Sequence, residues 1–189
     1  MSNKKFIESI PVGPLAIVAL PGSKALGDKV DAYISGWRSE RLEAKESPIT
    51  FKGYVKDSYL LNVSVPRFGT GEAKCALKDT VRGCDLYIID DVTNHSIEYT
   101  VCGQKNHMSP DDHYADIKRV IAAASGKARK ITVIMPFLYE SRQHRRSSRE
   151  SMDCAVMLQE LVNMGVDNII TFDAHDPRVN NAIPISGFE

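Results

Sequence analysis

What this sequence lacks narrows it first. It has no net charge: 24 Lys and Arg offset 24 Asp and Glu over 189 residues. The broad positive field that non-specific DNA or RNA binding requires is therefore missing. No run approaches the ~20 consecutive apolar residues that cross a bilayer. The segment Met1–Ser9 is polar and carries no signal-peptide hydrophobic region. Cys75, Cys84, Cys102 and Cys154 are scattered, without CxxC or CxxxH spacing, which points to reduced thiols in a cytoplasmic protein. Nothing matches GxxxxGK[ST] or GxGxxG, so Walker-type NTPases and standard dinucleotide binders are excluded. Internal repeats and low-complexity tracts are absent as well.

What is present fits one globular domain over 1–189. The chain is 43% hydrophobic and 25% charged, and a chain of this length buries roughly 70% of its unfolded surface. Its periodicity alternates. Leu15–Leu20 is a continuous apolar run closed by Pro21-Gly22, which suits a strand buried on both faces. Leu26, Val30, Tyr33 and Trp37 follow at helical spacing, with Ser23 as N-cap. Residues 38–57 are charged and weakly patterned, which predicts a loop. Residues 59–77 read as a protruding hairpin around Arg67–Glu72, its two glycines free to take positive φ. Leu86–Ile89 is a further strand, leading into Asp90-Asp91.

Ser109-Pro110-Asp111-Asp112 is a helix start, and Tyr114, Ile117, Val120, Ile121 and Ala124 form that helix's apolar stripe. Ile131–Met135 is a strand stopped by Pro136. Met152, Ala155, Leu158, Leu161 and Val162 mark another helix, ended by Gly165. Asn168–Phe172 is the last strand, delivering Asp173. This alternation predicts an α/β fold: a mainly parallel, doubly wound sheet with helices on both faces.

Ligands of open α/β sheets bind beyond the carboxyl ends of the strands, and two segments there stand out. Residues 142–149 hold four arginines, Arg142, Arg145, Arg146 and Arg149. Guanidinium forks match phosphate oxygens and stack on bases, so the stretch reads as a polyphosphate site. A solvated basic loop paired with Glu140 and Glu150 is the alternative. Asp173 and His175 sit two residues apart after the last strand and can reach a divalent metal or its waters. A structural histidine with a capping aspartate explains the same residues. Asp90-Asp91 faces the crevice or forms a turn. A receiver-like signalling domain, suggested by those two acids, has no place for the arginine loop.

Four stretches, in order, resemble the amino-terminal half of the ribose-phosphate pyrophosphokinase family. Val65-Pro66-Arg67-Phe68-Gly69-Thr70-Gly71-Glu72 is similar to its Arg-Phe-x-Asp-Gly-Glu hairpin. Val81–Ile89 is similar to its Asn-Val-Arg-Gly-x-Asp strand entry. Pro136–Arg145 resembles its Pro-Tyr-x-x-Tyr-Ala-Arg-Gln-Asp-Arg loop. Gly165–His175 resembles its Gly-x-Asp-x-x-x-Thr-x-Asp-Leu-His segment. The likeness runs from about Leu15 to Ile185.

The resemblance implies a phosphoribosyltransferase-like fold and a transferase of nucleotide biosynthesis. The family moves the diphosphoryl group of ATP to ribose 5-phosphate with Mg²⁺, giving phosphoribosyl diphosphate and AMP. It implies ATP contacts at Arg142, Gln143 and Arg145. It implies adenine contacts from Phe68, Thr70 and Glu72 in a neighbouring subunit's pocket, hence a homo-oligomer. Asp173 and His175 inherit the metal-nucleotide role.

The departures are Thr70 for Asp, Ser141 as an extra residue before Arg142, His144 for Asp, and a long crossover over Thr93–Ser109. The family's second domain, with its acidic ribose-phosphate loop and catalytic Lys and Arg, has no counterpart in the 189 residues. Catalytic residues are therefore expected outside this stretch, and the chain by itself is expected to bind nucleotide without turnover. A non-catalytic, nucleotide-binding regulatory subunit is the rival expectation.

Overall fold

Runs of branched apolar residues build the central sheet. The computed structural model describes residues 11–44, 51 and 53–183. β1 (Leu15–Ala19), β4 (Asp85–Ile89), β7 (Lys130–Phe137) and β8 (Asn168–Asp173) lie in the order β1-β4-β7-β8, every pair parallel. Val18, Leu86, Ile88, Val133 and Ile169 are fully buried, as strands covered on both faces require. α2 (Pro110–Ala124) and α3 (Asp153–Asn163) cover one face. Ile117, Val120, Ile121, Met157, Leu158 and Leu161 pack there on the strands. α1 (Lys24–Glu43) covers part of the other face, where Val30 and Ile34 meet Ile17, Tyr87, Ile89 and Ile134. The α/β reading with a parallel sheet and helices on both faces holds. No helix among the described residues is long and apolar enough to cross a membrane.

The start of α2 behaves as its sequence predicts. Ser109 Oγ accepts from the Asp112 N–H at 3.1 Å, and Asp112 Oδ2 accepts from the Ser109 N–H at 2.9 Å. This capping box satisfies two backbone donors reciprocally. Its predicted stripe, Tyr114 to Ala124, is buried throughout. Gly165, at φ +91°, ends α3 as expected.

α1 departs from its pattern. Tyr33, Trp37 and Leu26 are 74%, 44% and 37% exposed, while Gly27 and Asp31 are buried. A Cβ on Gly27 would lie 2.3 Å from Ala19 Cβ, so the missing side chain is what lets α1 lie against β1. With that face turned inward, Leu26, Tyr33 and Trp37 of the expected stripe point away from the sheet, and Val30 alone of the four packs in the cluster beneath α1. Asp31 instead accepts from the Tyr59 N–H at 2.6 Å. Tyr59 and Leu61 in turn bond Ile17, extending the sheet beyond β1. Ser23 occupies the N-cap position but its side chain makes no capping bond. The helix runs on to Glu43, so the predicted loop begins later than residue 38. Residues 45–50 and 52 of that loop lie outside the described residues.

Two other expectations shift. β7 passes through Pro136 to Phe137. Its pairing with β4 ends at Ile89 opposite Ile134, so past that point proline's missing N–H breaks no ladder with β4. The predicted hairpin forms from β2 (Val63–Ser64) and β3 (Ala76–Leu77), with a bridge between Arg67 and Ala73. Of its two tip glycines only Gly71, at φ +93°, uses positive φ. The long crossover contains an unforeseen second hairpin, β5 (Glu98–Val101) and β6 (Gln104–His107). Its two turn residues, Cys102 and Gly103, have φ +48° and +80°, the twist that a two-residue turn needs.

Two outcomes follow. Leu158→Ala should cost about 2–5 kcal/mol of unfolding free energy, because Leu158 is fully buried under the sheet. Val156→Ala, on the same helix but 60% exposed, should stay within about 0.5 kcal/mol; urea unfolding compares the two. Burial pushes the Cys154 thiol up to about 11, while Cys102 is exposed. At pH 8 a disulfide reagent should modify Cys102 in the native protein and Cys154 only after unfolding. Mass spectrometry of the labelled peptides reads this.

Candidate functional site

Parallel pairing brings the carboxyl ends of β4, β7 and β8 to one edge. Beyond β4, the Asp90-Asp91 pair divides between two roles. Asp90 is 1% exposed and its Oδ2 lies 2.9 Å from Nδ1 of His113, which is fully buried. Nε2 of His113 faces the Asn94 carbonyl at 2.9 Å. Burial opposes the charged imidazole, but Asp90 and the Asn94 carbonyl outweigh it and raise its pKa. Asp91 Oδ1 accepts from the N–H and hydroxyl of Thr93 and closes a turn. Asp90 therefore serves the interior, and Asp91 fits the turn reading.

Beyond β7 the arginine loop is fixed at its root. Tyr139 stacks on Tyr114 with ring centroids 4.5 Å apart, and its hydroxyl donates to Asp111 Oδ1 at 2.6 Å. Glu140 adopts φ +56°, and Ser141 turns inward, fully buried, its N–H donating to the Leu138 carbonyl. Pro136–Arg145 has the same ten positions as the family motif, so Ser141 stands where the motif has Ala and is not an extra residue; the left-handed Glu140 and the buried Ser141 set where Arg142 leaves the fold.

Arg142 then emerges exposed, its guanidinium carbon 5.6 Å from the Phe137 ring centroid. Phe137, Tyr139 and Arg142 line a groove of about 170 Å³ with Val92, Thr93 and Pro110. Gln143 donates to the Ser151 carbonyl at 2.6 Å and ties the two ends of the loop. Arg145, Arg146 and Arg149 are exposed. Among the described residues no carboxylate forms an ion pair with any of the four loop arginines. Glu150 bonds the Ser147 N–H and hydroxyl instead, which hold its carboxyl below its usual range. Arg145 lies near enough to Glu150 to help lower its carboxyl, but among the described residues none of the four loop arginines is locked in an ion pair.

Beyond β8, Asp173 and His175 are both exposed. Asp173 Oδ1 accepts from the His175 N–H at 3.1 Å, and His175 takes φ +48°. Asp176 caps the short 3-10 segment Pro177–Ala182 through the Arg178 N–H. Its bonds to the Arg178 side chain hold its carboxyl far below the usual range. Asp176 Oδ2 also meets His144 Nε2 at 3.3 Å, and the His144 and His175 rings lie 5.6 Å apart. The arginine loop and the Asp173–His175 segment are therefore held side by side. No three His, Cys, Asp or Glu among the described residues are grouped to hold a metal. One exposed carboxylate two residues from one exposed imidazole suits an ion that keeps its waters and takes substrate phosphates, as Mg²⁺ does.

The first hairpin stands apart. Phe68 is 50% exposed, with the Lys74 amine 6.0 Å from its ring centroid. Thr70 Oγ1 donates to Glu72 Oε2 at 2.8 Å. At the root, Arg67 donates to the buried Asp116 at 2.7 Å and lies 4.0 Å from Asp112. No contact among the described residues joins Phe68, Thr70 or Glu72 to Arg142, Gln143, Arg145, Asp173 or His175. The first turn of α2 is the link between the two groups: Asp111 takes Tyr139 and Asp112 takes Arg67. Tyr139, Asp111 and Asp116 carry no local sequence signal for these roles, since their partners lie 28 to 49 residues away.

Known proteins similar to this chain belong to one family. The model of the N-terminal domain of ribose phosphate pyrophosphokinase matches residues 15–165. A ribose-phosphate pyrophosphokinase of Oceanobacillus iheyensis is 27% identical over 124 residues, covering 65% of this chain and 35% of the relative. One from Haemophilus ducreyi is 31% identical over 120 residues, covering 62% and 34%. The chain thus spans about a third of the length of these relatives. The crystal structure of phosphoribosylpyrophosphate synthetase from Mycobacterium smegmatis superposes with a TM-score of 0.64 at 18% identity, over 93% of this chain and 47% of that one. The ordered motifs, the parallel sheet and the match of the N-terminal-domain model over residues 15–165 place this chain in the ribose-phosphate pyrophosphokinase family.

Proposed function

We propose that this chain is the ATP-binding half of a ribose-phosphate diphosphokinase. In that reaction the 1-hydroxyl oxygen of ribose 5-phosphate bonds the β-phosphorus of ATP, the bond to the α-phosphate's bridging oxygen breaks, and AMP leaves. Phosphoryl-type transfer asks the protein for positioning and charge neutralisation more than for covalent work. The observation that carries the reading is the juxtaposition, on one edge, of unpaired arginines with Asp173 and His175, joined through His144 and Asp176.

Arg142 offers a planar guanidinium fork to phosphate or base. Its position over Phe137 leaves one face of the guanidinium for an adenine. Gln143 holds the loop closed, and Arg145 adds charge toward the polyphosphate. Asp173 and His175 would hold Mg²⁺, which neutralises the phosphate oxygens when bound. Phe68, Thr70 and Glu72 reach the adenine of a neighbouring copy, which requires a homo-oligomer. Thr70, with its proton given to Glu72, keeps lone pairs for the base amino group. The groups that activate the sugar hydroxyl are expected in a second domain.

Calorimetry at low salt should show ADP or ATP binding that weakens steeply with added salt. Arg142→Ala should weaken it about 10- to 100-fold, the cost of a charge-assisted contact. Absence of nucleotide binding by the native chain would sink the reading. Joined to its second domain, the enzyme should form AMP only with ribose 5-phosphate and Mg²⁺ both present. Nucleotide binding without sugar-dependent AMP would turn the assignment to a regulatory subunit.

A further inference from the structure

The β5–β6 hairpin lies in the crossover between β4 and α2, and nothing in the proposed chemistry uses it. Its turn meets the tip of the first hairpin. The Cys102 N–H donates to the Gly69 carbonyl at 2.9 Å. A Cβ on Gly71 would lie 3.0 Å from Val101 Cγ2 and 3.8 Å from the Tyr99 ring, so the tip seats against both side chains. Tyr99 joins the two hairpins to the domain. The Arg67 guanidinium carbon sits 4.9 Å from its ring centroid, and its hydroxyl donates to Asp112 Oδ2 at 3.1 Å. Arg67 itself is anchored on the buried Asp116.

We infer that β5–β6 is a brace that holds the Phe68–Glu72 turn in its ligand-ready conformation, with Tyr99 and Val101 as positioning residues. The inference rests on the proposed nucleotide function and adds a device to it. A protruding turn with an exposed phenylalanine would otherwise order itself only on binding, and that ordering is subtracted from affinity. The turn's own bonds are few: Phe68 N–H to the Glu72 carbonyl, Gly71 N–H to the Phe68 carbonyl, and the exposed Thr70 hydroxyl to Glu72 Oε2. The bond from Cys102 and the packing of Val101 come from outside the turn and hold its two glycines. Tyr99 uses its face for a cation and its hydroxyl for a carboxylate, so one side chain couples both hairpins to Asp112. The brace touches no residue of the arginine loop among the described contacts. It therefore serves recognition of the base and leaves the polyphosphate contacts alone.

The test separates the brace from the function. Hydrogen exchange in the ligand-free chain reads the turn directly. Tyr99→Ala and Val101→Ser should each speed exchange of the Phe68, Gly71 and Cys102 amides at least tenfold, with Ile117 and Val120 in α2 unchanged. Tyr99→Phe, which keeps the ring under Arg67, should recover most of the protection. ADP binding to the oligomeric chain should weaken at least fivefold in the first two variants. Binding of inorganic diphosphate, which has no base, should stay at the native level. Unchanged exchange in both variants overturns the brace. Faster exchange with unchanged ADP affinity, or with equal losses for ADP and diphosphate, overturns its role in base recognition. If Tyr99→Ala does not fold, Val101→Ser decides. A native chain that exchanges as described but binds neither ligand overturns the nucleotide role together with the proposed function, while the brace itself stands.

Discussion

Parallel strand pairing is the constraint on which the site depends. Successive pairing of β4, β7 and β8 forces their carboxyl ends to one edge. The arginine loop and the Asp173–His175 segment, about 30 residues apart in sequence, become neighbours for that reason alone. An antiparallel arrangement of the same strands would put them at opposite ends. The strands are held in that alignment by apolar burial on the α2–α3 face, where the core is continuous from Ala16 to Ile183. The chemistry at the edge is thus a consequence of packing far from it.

The first turn of α2 converts that alignment into a defined geometry. Asp111 and Asp112 already stabilise the helix start by their charge and, for Asp112, by capping. The same two carboxylates then receive Tyr139 and Tyr99 from opposite sides. One more turn along, Asp116 takes Arg67 and Arg119, at 2.7 and 2.6 Å. Burial pushes the Asp116 carboxyl up, and the two guanidiniums oppose it. Such a group is stabilised only while its partners are present; removing one partner of a buried pair leaves a charge uncompensated. Arg67 is therefore held in one place, and the hairpin it roots projects in one direction.

The edge also divides its charges. Three carboxylates near the arginine loop are engaged by other groups: Glu150 by Ser147, Asp176 by Arg178 and His144, and Asp153 by the Ser151 hydroxyl. That leaves the loop's guanidiniums without fixed partners in a chain of zero net charge. A neutral total is no obstacle to an anion site when the local acids are engaged elsewhere.

Much of this was legible in the sequence, and the rest was not, for physical reasons. Local rules determined what depends on neighbours in the chain. These are the capping box of α2, the buried stripe from Tyr114 to Ala124, the strand ending at Asp173, and the chemistry of Arg142 and its fellows. Local rules failed where a distant contact overrode them. Gly27 against Ala19 turned α1 and exposed Tyr33, and the end of β4 at Ile89 let β7 continue through Pro136. In the β5–β6 hairpin only β5 alternates, with Tyr99 and Val101 half-buried between exposed Glu98 and Thr100; β6, Gln104–His107, is exposed throughout and carries no apolar pattern, so the pair has no two-strand signal in the sequence. The roles of Tyr139, Asp116 and Tyr99 rest on partners that only the folded chain brings near. The sequence by itself determined which chemistry the edge carries, since that resides in side-chain type. Only the tertiary structure decided which groups meet there and which stay unpaired, since that depends on contacts between residues far apart in the chain.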